Sequence, residues 1–181
     1  MSITASQIYK KITKYDSLVS YKAINKAYNL SKKAHANQFR GSGEPYFTHP
    51  LAVADYLVNM RLDSSTIITA LLHDVVEDTE ITLKNIEDEF GSEISKLVDG
   101  VTKLSKLDLK FGFAQAENFR KLLLASSDDI RVLLVKLADR LHNIRTINGI
   151  KNVSKRSKIC FETLEIFAPL AERLGINAIQ R

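Results

Sequence analysis

The sequence of 181 residues holds one cysteine, three prolines, seven glycines and no tryptophan. A single thiol, Cys160, excludes an internal disulfide and suits a reducing cytoplasm, where the chain is expected to reside. Set between Ile159 and Phe161, Cys160 reads as a small buried apolar residue rather than a reactive one. No apolar run approaches the length that crosses a bilayer, and Met1 to Lys14 lacks the apolar core of a secretory signal. No zinc-finger spacing or RNA-binding aromatic motif accompanies the net charge of +5, so nucleic acid is not an expected partner. Lysines at 10, 11, 14, 32, 33, 151, 155 and 158 recur at helical spacing and read as solvated helix faces.

With so few helix breakers, what remains is rich in Leu, Ile, Ala, Lys and Glu, and its apolar residues repeat with helical period. The size is that of one ordinary domain, here 1–181 with 1–18 as an N-terminal helical extension. Helices are predicted over Tyr21–Gln38, then to about Met60 with Thr48 as candidate cap and Pro50 in the first turn, and from Asp63 or Ser64 through Val76. Others are predicted from Thr82 to Phe90, Ser92 to about Val98, Ala114 to Ala125, Asp128 to about Ile147 and Ser154 to Phe167, with a last turn near Ala171. Gly41 to Pro45 reads as a turn, and Ser105 to Gly112 as a surface loop. The helix through Val76 is oily in its middle, Ile67 to Leu72, and should be central. No segment alternates convincingly, so the fold class is all-α, a bundle of roughly eight to ten helices.

Chemistry concentrates at the end of that oily helix, in His73, Asp74, Glu77 and Asp78. Polar groups beside a core are unfavourable unless partnered. On one helix Glu77 follows His73 by a turn and Asp78 follows Asp74, so the four can share one rim. Asp139 interrupts another apolar helix, with Asn143 and Thr146 on its side. From that helix alone, an ion pair with Arg140 or a nearby Lys is as good a reading as metal ligation. His49, between Thr48 and Pro50, is equally open, whereas His35 and His142 read as structural. Two imidazoles and two carboxylates together suit Mn²⁺, Fe²⁺, Zn²⁺ or Co²⁺ better than Ca²⁺. A cation so held can activate water against a phosphate ester or anhydride.

These residues sit in longer motifs: Ala34-His35 with Gln38-Phe39-Arg40, Ser42-Gly43-Glu44-Pro45-Tyr46 with His49-Pro50, and Leu71-Leu72-His73-Asp74 with Glu77-Asp78-Thr79. Asp99 to Leu104, Gln115 to Lys121, Lys136 to Thr146 and Glu165 to Gly175 follow in order. Over about residues 20 to 178 the chain resembles the HD-type hydrolase domain of bacterial RelA/SpoT alarmone enzymes, which remove pyrophosphate from the 3′ position of ppGpp and pppGpp. The resemblance implies one Mn²⁺ held by His49, His73, Asp74 and Asp139, with Glu77 and Asp78 activating or orienting the attacking water. It also implies a guanosine pocket lined by Arg40, Ser42, Asn143 and Thr146, and a small nucleotide as the partner.

Two positions depart from the resemblance: Gly41 stands where Lys or Ser is common, which predicts a lost substrate contact, and Asn37 stands where Gly is common. No synthetase domain follows Gly175, so 176–181 reads as the end of the hydrolase domain, and Met1 favours a natural stand-alone protein over an excised domain. Two other functions fit the same residues: hydrolysis of another nucleotide such as NADPH, or alarmone binding without turnover.

Overall fold

The computed structural model describes residues 3–107, 115–126 and 128–176, with the helix over 115–125 defined in backbone at its first two positions. Among these residues the structure is all-α, with no strand and one isolated bridge between Phe39 and Pro45. The helices are α1 (Ala5–Ile12), α2 (Tyr21–Ala34), α3 (Thr48–Asn59), α4 (Ser64–Leu72) and α5 (Val75–Asp78). They continue as α6 (Leu83–Phe90), α7 (Ser92–Ser105), α8 (Gln115–Ala125), α9 (Ile130–Arg145), α10 (Val153–Glu162) and α11 (Ala168–Arg173). As α5 is a single turn and α10 runs on into α11, nine separate helices remain among the described residues, within the predicted range.

The predicted central helix is central. Every residue of α4 from Thr66 to Leu72 is buried, because α2, α3, α7 and α9 all pack against it. Asp63 caps its start, accepting from the Thr66 backbone N–H at 3.0 Å. The N-terminal segment adds Ile8 and Ile12 to the same core from α1, where Thr4 and Gln7 form a capping box.

Several boundaries differ from the sequence reading, each for a local reason. The oily helix does not continue to Val76: His73 and Asp74 form a turn between α4 and α5. The buried His73 ring takes the Ala70 carbonyl at 2.8 Å, a group the helical ladder would otherwise offer to residue 74, and the ladder breaks there. Helix α2 stops at Ala34, four residues short of Gln38, whose side chain reaches the Asp78 carbonyl instead. Thr48 does not cap α3: it is the first helical residue, and its hydroxyl donates to Pro45 O. Helix α7 extends seven residues past Val98, to Ser105, since Val101, Thr102 and Leu104 keep its buried face going. The loop predicted over Ser105–Gly112 is therefore helical at Ser105, and its residues 108–112 lie outside the described residues, as do 177–181. Cys160 is half-buried rather than a core residue.

Between α10 and α11 the chain makes a π-helical stretch over Thr163–Phe167, with the Ala168 N–H bonded to Thr163 O. Pro169, which has no N–H to give the preceding turn, lies in the first turn of α11 and accounts for the widened register upstream.

Helices α7 and α9 meet at Gly100, where an added Cβ would lie 2.7 Å from Val132 Cγ2. A β-branched side chain on a helix has essentially one rotamer, so Val132 cannot swing away. Gly100→Ala should separate the two helices and lower stability by about 1–3 kcal/mol in urea denaturation; an unchanged midpoint would show that the contact is not tight.

Candidate metal centre

Three elements converge on one point. The turn after α4 delivers His73 and Asp74, the first turn of α3 delivers His49, and the middle of α9 delivers Asp139. His49, His73 and Asp139 are 2%, 2% and 5% exposed, and Asp74 is partly buried. Ligand atoms of His49, His73 and Asp74 all lie within 4.8 Å of one another. Asp139 stands beside them, its Oδ1 3.1 Å from His49 Nε2.

The hydrogen bonds decide which nitrogen of His73 is available. Its Nδ1 faces a carbonyl, which only accepts, so Nδ1 carries the proton. In the neutral ring Nε2 then holds a lone pair. That atom is buried, has no hydrogen-bond partner, and lies 3.1 Å from Asp74 Oδ1. A lone pair facing a carboxylate is repulsive, and a divalent cation between them reverses the sign. His49 is similar: its Nδ1 lies 2.8 Å from Nδ1 of His142, so one ring donates to the other. Burial holds His142 down at about 4, hence neutral and able to accept. With His49 as donor, its Nε2 lone pair faces Asp74 at 3.5 Å and Asp139 at 3.1 Å. This donor set, two imidazole nitrogens and two carboxylates, fits a transition-metal dication.

Asp139 forms the ion pair of one sequence reading, with Lys136 as the nearby lysine: Nζ lies 2.7 Å from Oδ2 and also donates to Ser105 Oγ at 2.9 Å. Arg140 points elsewhere, to Glu162 at 2.8 Å and across the ring of Phe167. Burial opposes ionisation of Asp139, yet Lys136 and then His49 outweigh it and hold the carboxyl well below its usual range. Burial likewise pulls Lys136 down, and Asp139 more than offsets this. Pairing through Oδ2 leaves Oδ1 toward His49, where it also accepts from Asn143 Nδ2. The ion pair and a metal site are thus compatible.

His49, Asp74 and Asp139, with Lys136, Ser105 and Asn143, line a cavity of about 400 Å³. Glu77 and Asp78 lie exposed on its rim. Partial desolvation raises the Glu77 carboxyl above its usual range; Lys136 pulls it down, and Asp74 and Asp78 push it up. Tyr46 Oη lies 2.9 Å from Oδ2 of both Asp74 and Asp78, and its one proton serves one of them at a time. Burial and those carboxylates keep the phenol protonated. His35 packs against the Tyr46 ring at 4.8 Å and is tied to Gln38 at 2.7 Å.

Of the four expected pocket residues, three come together. Arg40 Nη2 donates to Asn143 Oδ1 and to Thr146 Oγ1, each at 3.1 Å. Arg40 and Asn143 line the cavity, and Thr146 braces Arg40 from behind. Ser42 is not among the lining residues; it contacts Glu44 at 3.3 Å and lies under Gly149. Sequence reasoning left the lysine beside Asp139 without a number, and missed Tyr46, the backing role of His142, and Phe39, which is 66% exposed at the cavity edge. A buried Lys one turn before Asp139 was the available signal; the other contacts span 28 to 93 residues and leave no periodic trace.

A larger groove, about 500 Å³ between α7 and α9, carries charges that already neutralise one another, Lys103 with Asp99 and Arg131 with Asp129 and Glu93.

A family model described as HD domain matches residues 27–177. The chain is 53% identical over 172 residues to the GTP pyrophosphokinase rsh of Brucella ovis, covering 94% of this chain and 23% of that protein. It is 52% identical over 160 residues to the bifunctional (p)ppGpp synthase/hydrolase SpoT of Escherichia coli, covering 88% of this chain and 23% of the relative. The chain thus spans about a quarter of the length of these relatives. A solved structure of a metazoan ortholog of SpoT that hydrolyzes ppGpp shares the fold, with a TM-score of 0.62, 24% identity, and coverage of 91% of this chain and 89% of that one.

Lys136→Met should leave Asp139 as a buried carboxylate without its ammonium, lowering metal-free stability by about 3–5 kcal/mol. Added divalent metal should restore part of that loss, read as a recovered melting temperature. Equal stability of the variant and the parent without metal would refute the pairing.

Proposed function

The chain belongs to the HD domain family, and from that premise we propose that it hydrolyses the 3′-diphosphate of ppGpp and pppGpp to GDP or GTP and pyrophosphate. The observation that carries the reading is the buried, unpartnered Nε2 of His73 opposite Asp74, with His49 and Asp139 closing on the same point. Support for the substrate comes from the SpoT relative, a (p)ppGpp synthase/hydrolase by name.

In this reading His49, His73, Asp74 and Asp139 hold one Mn²⁺. When bound, the ion supplies Lewis acidity toward a phosphate oxygen and lowers the pKa of a water. The chain's own residues do the rest. Glu77, raised above the usual carboxylate range, receives the water proton. Asp78, tethered by Tyr46 and by the Gln38 bond to its carbonyl, orients that water. As water adds to the phosphorus next to the ribose, the bond to O3′ breaks, O3′ takes up a proton from solvent to become the free hydroxyl, and pyrophosphate leaves. Lys136 and Lys155 line the cavity and offer positive charge to the phosphates. Arg40, whose planar guanidinium can stack on a base, holds the guanosine with Asn143 and is itself braced by Thr146, while Ser42, turned to Glu44, takes no part. No helix among the described residues is long and apolar enough to cross a membrane, and the reading places the enzyme in the cytoplasm.

Purified protein with Mn²⁺ and, separately, ppGpp, pppGpp and NADPH tests the reading by product identification. Pyrophosphate from ppGpp is expected; orthophosphate from NADPH alone, or tight ppGpp binding without turnover, would replace it. Glu77→Gln should keep metal affinity and slow hydrolysis by about 10²–10⁴-fold. Asp139→Ala should lose both metal and turnover, and full activity in that variant would remove it from the ligand set.

A further inference from the structure

The sequence alone treats Gly41 as a deficit, a position where a side chain that could touch substrate is missing. The structure gives the position a different character. An added Cβ on Gly41 would lie 2.6 Å from the Gly149 carbonyl oxygen, a backbone atom that cannot rotate aside. The contact is reciprocal, because a Cβ on Gly149 would lie 3.0 Å from Ser42 Cβ and 3.2 Å from Ser42 N. Two tight turns meet here with almost no side chain between them. One is closed by Arg40 N to Glu44 O and Gly43 N to Arg40 O, each 2.9 Å. The other is the 3₁₀ turn Ile147–Gly149, closed by Gly149 N to Thr146 O at 3.0 Å. Both carry residues of the cavity: Arg40 and Gly41 on the first, Ile150 just past the second.

Across the same seam Arg40 Nη2 reaches Asn143 and Thr146. Two bonds of 3.1 Å from one nitrogen require the backbone at 40 to sit close to the end of α9. The glycine contact allows that approach, since any side chain at 41 must push the turns apart. We propose that Gly41 is a positioning residue: by lacking a side chain it lets the two turns close, and the closed seam sets Arg40 and the width of the cavity mouth through which the nucleoside enters. A Lys or Ser at 41 in this chain therefore weakens substrate binding instead of restoring a contact. The consequence for nucleotides rests on the proposed function; the closure of the seam does not.

The test uses the full chain with Mn²⁺ and the variants Gly41→Ala, Gly41→Lys, Gly149→Ala, Arg40→Met and Arg40→Met/Gly41→Ala. Hydrogen–deuterium exchange of the nucleotide-free proteins reads the seam itself. Faster exchange over 40–45 and 146–150 is expected in Gly41→Ala and Gly41→Lys, and unchanged exchange in both overturns the closure whether or not ppGpp is the substrate. With ppGpp, Gly41→Ala should raise KM about tenfold or more while kcat and Mn²⁺ affinity stay near the parent values. A purely structural defect would lower kcat and Mn²⁺ affinity as well. In the Arg40→Met background the alanine should add little, because it acts through Arg40; a full additional rise in KM overturns that link. A lower KM in Gly41→Lys overturns the proposal outright. Should Gly41→Ala fail to fold, the milder Gly149→Ala decides, with faster exchange and a raised KM expected and parent values contradicting.

Discussion

A nitrogen lone pair and a carboxylate oxygen held 3.1 Å apart, out of water, are the constraint on which the centre of this molecule depends. The fold invests in that arrangement. It breaks its most buried helix at His73 so that the ring can give Nδ1–H to Ala70 and aim Nε2 inward. It places His49 in the first turn of α3, braced by a neutral His142 from α9. It then pins Asp139 by one oxygen to Lys136 and Ser105, leaving the other toward the same point. The buried imidazole lone pairs that face carboxylates are unfavourable on their own and favourable when a dication joins them.

Around that point the charges are sorted. Asp74, Glu77 and Asp78 gather on one side with Tyr46 bridging two of them, while Lys136, Lys155 and Arg40 line the same cavity. A substrate with phosphate at one end and a base at the other matches this division. Asn143 joins the two regions: its amide oxygen accepts from Arg40 and its amide nitrogen donates to Asp139.

Much of the fold is written in periodicity. Helices α6 and α9 form close to where apolar spacing places them, and α4 starts at its predicted cap, because burial of one face decides both the helix and its neighbours. Periodicity is blind to a turn made by a buried imidazole competing for a carbonyl, so it carries the oily helix through His73 and Asp74 where the structure breaks it. It also ends α7 early, since the helix is prolonged by packing rather than propensity. His73, Asp74 and Asp139 were legible as polar residues on oily helices, whereas His49, between Thr48 and Pro50, entered the candidate set through the family resemblance. Lys136 hides among apolar neighbours as one more lysine, and Tyr46 and His142 act across long sequence separations. Gly41 is the instructive case: read in one dimension it is a missing side chain, and in three it is the space another backbone occupies.

The most direct measurement is pulsed electron paramagnetic resonance of the protein loaded with one equivalent of Mn²⁺ after ¹⁵N-histidine labelling. Hyperfine coupling to two imidazole nitrogens is expected, falling to one in His73→Ala. A Mn²⁺ spectrum without nitrogen coupling, or one unchanged by loss of His73, would contradict the assignment of its buried lone pair to the metal.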